Sequence, residues 1–200
     1  MVDVYSQLHE SRIRRPRACP SRARRPVLLR RVAPTARLVI VCGALHRREE
    51  VPGLLRKWLD LSAREFQCAG KIAVVSVGFP QTGQGTRGGW LSCLKCAPAE
   101  CSCLQEVLPN VRLTLLVGHD AQTFYLGRRA KASLDETVRA FDEYLPEFFP
   151  LPHPAAHGAR WHRANPWFQK TVLGILRRCV ALVLSGRDTR SFFSEKLIHT

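Results

Sequence analysis

The sequence predicts an α/β protein, a three-layer α/β/α sandwich around a short, mostly parallel four-stranded sheet. Three observations carry this. Four segments, RLVIVC (37–42), KIAVVSV (71–77), RLTLLV (112–117) and EFFPL (147–151), are short, apolar on both faces and rich in Val, Ile and Leu. Parallel strands covered by helices on both sides have this composition. Helical patterns fall between the four segments, and such alternation implies crossover connections. With 200 residues, 46% of them apolar, the chain is long enough to bury one core.

Taken in order, residues 1–33 form a basic Arg-rich N-terminal arm. Nine arginines and no acid lie between Arg12 and Arg31, against a formal charge of +15 for the whole chain. Such arms lie on phosphates or serve as transit peptides. The strand 37–42 leads to VPGLLRKWLDL (51–61), an amphipathic helix with Gly53 weakening its first turn. The strand 71–77 runs into a glycine-rich stretch, GFPQTGQGTRGG (78–89), and residues 99–108 are a weaker helical pattern. After 112–117 comes Gly118 and a short helix, with Asp120 near its N-cap and Gly127 past its end. Ser133 and Glu136 form a capping box that opens a helix running to about Tyr144, before Pro146. Asn165 caps a last helix that has Pro166 at its first position and runs to about Val180. The domain is therefore 34–183, followed by a polar tail, 184–200.

No run of about 18 apolar residues exists, so no membrane partner is expected. The start lacks an apolar signal region, which points to an intracellular protein, in the cytoplasm or nucleoid if bacterial, with organelle targeting by the Arg-rich start left open. Eight cysteines then read as reduced thiols, a metal site or buried small residues. The excess of basic over acidic residues, 31 against 16, points to a polyanionic partner, nucleic acid first.

In an open parallel sheet, ligands bind beyond the carboxyl ends of the strands. The residues directly after each strand are the candidate site: Gly43 to His46, Gly78 to Gly89, Gly118 to Gln122, and His153 to His162.

These segments resemble the uracil-DNA glycosylase superfamily, in particular a bacterial-type branch of it. The resemblance is carried by KCAPAECSCLQEVLPNVRLTLLVGHDAQTFYLG (95–127), SLDETVRAFDEYLPEFFPLPHP (133–154) and NPWFQKTVLGILRR (165–178), and more loosely by PTARLVIVCG (34–43) and VVSVGFPQTGQG (74–85). It implies a monomeric enzyme that flips uracil out of DNA and hydrolyses its N-glycosidic bond without a cofactor. His153 and Pro154 match the start of the family's second motif, typically His-Pro-Ser-Pro. There the histidine donates to a uracil carbonyl oxygen as the base leaves as an anion. After Pro154 the chain departs, with Ala155, Ala156, His157 and Gly158.

Of the first motif, typically Gly-Gln-x-Pro-Gly, only Gly43 carries over, as a substrate-binding position. Ala44-Leu45-His46 come next, and His46 is a substitute for positioning water. Phe79 matches the family's aromatic wall for the flipped base. The basic residues Arg160, Arg163 and Lys170 are candidates for DNA phosphates. Cys93, Cys96, Cys101 and Cys103 have spacing that suits zinc or an iron–sulfur cluster, but only Cys96 matches the branch, so no metal is expected. Because the second motif argues for chemistry and the first against it, a catalytically dead DNA-binding protein on the same fold stands as the alternative.

Overall fold

Five strands make one sheet in the computed structural model, which describes residues 27–42, 53–77, 108–154, 161 and 163–187. They are β1 (Val27–Arg31), β2 (Leu38–Cys42), β3 (Ile72–Val77), β4 (Leu113–Val117) and β5 (Phe148–Leu151), in spatial order β1-β3-β2-β4-β5. The last four are parallel to their neighbours, and each lies within one residue of a segment expected from apolar patterning. The fold class is as expected. The fifth strand, β1, is new: it pairs antiparallel with the outer side of β3, inside the stretch assigned to the basic arm. Its Val-Leu-Leu is too short a run, flanked by too many arginines, to signal a strand alone. Its partner is also distant in sequence, with Val27 opposite Val77 and Arg31 opposite Val74.

The helices are α1 (Gly53–Trp58), α2 (Ala63–Gln67), α3 (His119–Leu126), α4 (Leu134–Arg139) and α5 (Leu173–Ser185). Alternation along the strands sorts the core onto two faces. Leu38, Ile40, Leu113, Leu115, Phe149 and Leu151 point to the side of α1, α2, α4 and α5, where they meet Leu55, Trp58, Val138, Phe168 and Leu176. Val39, Val41, Val75 and Leu116 point to the opposite side, against Ala121, Phe124 and Leu126 of α3. These are the three layers, with β2, β4 and β5 buried at every position, as parallel strands covered on both faces should be. Phe149 stacks on Phe141 at a centroid distance of 4.9 Å, and Trp58 meets Phe168 edge-on at 5.1 Å.

Several helix boundaries differ from expectation for local reasons. The helix expected over 51–61 ends at Trp58, and Ser62 then begins a separate helix, Ala63–Gln67, through a complete capping box with Glu65. The helix opened by Ser133 does show its capping box, but it breaks at Ala140 (φ −88, ψ 29) into a 3₁₀ turn, Phe141–Tyr144. The last helix runs five residues beyond Val180, ending at Gly186 in the left-handed conformation (φ 77). Its first described turns are wide, with a π-helical stretch over Phe168–Val172. Asn165 serves differently from an ordinary cap. Its side chain donates to the Trp161 carbonyl and accepts from the Trp167 indole at 2.9 Å.

Arg177, on α5, donates to the carbonyls of Trp58 and Lys57 and so satisfies the exposed carboxyl end of α1. Among the described residues, no helix is long and apolar enough to cross a membrane.

Candidate functional site

The strand order reverses direction at β2, which has β3 on one side and β4 on the other. Crevices for ligands open at such a switch point, beyond the carboxyl ends of the strands. Beyond the strand ends themselves, the described residues on that end come from the segments that leave β4 and β5. Gly43 and His46 (after β2), Phe79 (after β3), Arg160, and the cysteines 93, 96, 101 and 103 lie outside the described residues.

β5 ends at Leu151, and Pro152-His153-Pro154 come directly after it. Both prolines are buried while His153 is half-buried, so the backbone is fixed and the imidazole is left partly accessible. The Leu151 carbonyl accepts two hydrogen bonds, one from the Gly118 backbone N–H at 2.8 Å and one from Gln122 Nε2 at 2.9 Å. Gln122 is 2% exposed, a buried amide tying the first turn of α3 to the end of β5. This double tie brings β4's exit and β5's exit into one rigid unit. Within it, Gly118 adopts φ 86 and ψ 169, a region essentially restricted to glycine. A Cβ there would stand 3.3 Å from His153 Cβ and 3.5 Å from its Cδ2. The absence of a side chain at Gly118 is what lets the histidine lie against the strand end.

Two further ionisable groups share this corner, His119 and Asp120, both in the first turn of α3. Burial pushes the Asp120 carboxyl above its ordinary 3.8, while the nearby imidazoles of His119 and His153 pull it back. The net direction is upward, even though a helix N-terminus favours an anion. His119 Nε2 lies 3.4 Å from the Thr123 hydroxyl. Among the described residues no three His, Cys, Asp or Glu side chains are grouped to hold a metal ion, this corner included. Asp120 falls within the Gly118–Gln122 stretch that the sequence marks as candidate site, where its individual reading is only that of a residue near a helix N-cap.

The chain re-enters the core at Trp161. Its indole donates to Asp135 Oδ1 at 2.9 Å and meets Phe168 edge-on at 5.4 Å. Arg139 lies 4.0 Å from the centre of the Trp167 ring. Trp161 and Trp167 are thus half-buried and packed on Phe168 rather than free on the surface. Arg163 and Lys170 are both exposed. They are the two expected phosphate contacts that fall within the described residues.

A second concavity, with a cavity volume of about 340 Å³, is lined by Leu59, Glu65, Lys71, Arg177, Val180 and Leu184. It lies at the amino end of β3, away from His153. Its Glu65 is engaged by the capping box and its Arg177 by the α1 carbonyls, so we place the candidate site at the carboxyl end. Cys42, Cys68 and Cys179 are thiols outside any disulfide. Burial raises the Cys179 thiol to about 12, which keeps it protonated and unreactive. No protein-family model matches this chain.

Proposed function

We propose that this protein is a uracil-DNA glycosylase-like enzyme of base-excision repair, acting as an intracellular monomer on a flipped uracil in DNA. The observation that carries the reading is His153. A half-buried imidazole is held between two buried prolines at the carboxyl end of an outer parallel strand, against a glycine that leaves room for it. Such a donor can stabilise negative charge as a pyrimidine leaves, because it is already oriented and partly shielded from water. The sequence resemblance over residues 34–180 supports the same reading, as does the formal charge of +15. Pro154 would press on the nucleotide beside it, and Gly43 and Phe79 would line the base pocket. Arg163 and Lys170, with Arg160, would contact phosphates.

The chemistry requires no cofactor: the glycosidic bond breaks, the base departs as an anion, and water adds to the sugar. Incubating the purified protein with a uracil-containing oligonucleotide, and then cleaving with alkali, tests the reading. Strand scission dependent on both protein and uracil is the expected result. DNA affinity should also fall by about tenfold or more between low and physiological salt, as phosphate-driven binding does. Binding of a labelled duplex that is insensitive to salt would contradict the phosphate contacts.

One observation favours a second reading. Ala44 and Leu45 stand where the family has polar residues that position water. If excision is absent and salt-dependent binding is present, the protein is a DNA-binding protein on a glycosylase-like fold.

A further inference from the structure

The loss of polar residues after Gly43 leaves a hydrolase without its usual means of activating water. Leaving-group stabilisation by His153 covers only half of the reaction. The other half needs an acceptor for the proton that water sheds as it adds to the sugar. The corner built by Gly118 and Leu151 contains such a group. Asp120 lies two residues beyond Gly118 in the first turn of α3, a helix that the Gln122 side chain ties to the carbonyl of Leu151. Two residues after Leu151 comes His153, whose Cβ side packs against Gly118. The carboxylate is half-buried and interacts electrostatically with both His119, on its own helix, and His153, from the end of β5.

We propose that Asp120 is the general base of the reaction, taking over the water-activating role that the first motif has lost. The inference depends on the glycosylase reading. In the step, a water oxygen bonds to C1′ of the deoxyribose while the C1′–N1 bond breaks. The bonding pair goes to the uracil ring, whose carbonyl oxygen accepts a hydrogen bond from His153. The water proton passes to the Asp120 carboxylate and from there to solvent. The products are free uracil and an abasic sugar. Partial burial suits this task, since a carboxyl with raised proton affinity is a stronger base than one in water.

Single-turnover excision across acidic to neutral pH, with the full chain, is the test. The wild-type rate should fall as pH drops through the raised Asp120 ionisation, because only the carboxylate accepts a proton. Asp120→Asn should lower the neutral-pH rate by about a hundredfold, the usual worth of a positioned base, and should lack this acid limb. Its DNA affinity should be unchanged. Asp120→Glu should keep the limb, since a carboxylate still faces His153.

Thermal melting separates a structural role. The folded state binds the Asp120 proton more tightly than the unfolded chain, so the ionised form opposes folding as pH rises through the folded ionisation. Asp120→Asn should therefore melt no lower than the wild type at neutral pH. A much lower melting point would assign Asp120 to structure and overturn the proposal. So would wild-type rate and acid limb in Asp120→Asn while His153→Ala is inactive, an outcome that leaves the glycosylase reading intact. Absence of excision by the wild type at every pH would overturn both.

Discussion

Replacing His153 with alanine is expected to slow single-turnover uracil excision by a hundredfold or more, about 3 kcal/mol of barrier. The reason is charge. A departing uracil carries its negative charge mainly at carbonyl oxygens, and a donor already aimed there needs no reorganisation when the charge appears. Pro152 and Pro154 are buried on either side of the histidine, so its backbone cannot drift between substrate-bound and free forms. DNA affinity should hardly change, because on the proposed reading binding would come from phosphate contacts by exposed cations such as Arg163 and Lys170. Rapid mixing of excess enzyme with labelled substrate reads the two effects separately. A wild-type rate in His153→Ala would remove the histidine from the mechanism.

Gly118→Ala should damage both stability and rate. Alanine is strained at φ 86 and ψ 169, and forcing it there costs about 1–3 kcal/mol. Its Cβ would also meet His153 Cβ at 3.3 Å, closer than the neighbours tolerate without shifting. Relief by moving the histidine misplaces the donor, and a displacement of about 1 Å is worth roughly a hundredfold in rate. Chemical denaturation would show a lower midpoint, and excision would fall alongside it. Gly174→Ala is the control. That glycine lies within α5 with nothing within 4 Å of a new Cβ, so the change should stabilise by up to about 1 kcal/mol. Equal behaviour of the two variants would refute the role given to Gly118.

The four parallel strands were legible because each is a continuous apolar run bounded by breakers. Leu38–Cys42 and Leu113–Val117 are buried at every position, and Thr114 is the one polar residue in either. Ser133's capping box was equally plain, since its two partners are three residues apart. What escaped depends on long-range pairing. The strand Val27–Arg31 exists only because β3 offers it an edge. The sequence marks Gln122 only as the end of the Gly118–Gln122 stretch, and its amide is buried to satisfy a carbonyl 29 residues later. The site divides the same way. His153 was visible from its flanking prolines, whereas Asp120 gains meaning only when β4 and β5 lie side by side. In the sequence Arg177 is only part of the basic excess, and the fold turns it onto the carbonyls at the end of α1.

Because β1 runs antiparallel to β3, its first residue pairs with the last residue of that strand, Val27 with Val77. The chain preceding Val27 therefore joins the sheet at the rim where the parallel strands finish, the rim that holds His153. Arg12, Arg14, Arg15, Arg17, Arg22, Arg24 and Arg25 all precede that junction in the sequence. A fully extended chain covers at most about 3.5 Å per residue, which bounds the separation of Arg12 from Val27 at ~50 Å. Had β1 run parallel to β3, the same arginines would have been moored at the far side of the molecule. As built, the chain enters the sheet at the same rim as His153 but at the opposite edge, with β3, β2 and β4 between β1 and β5.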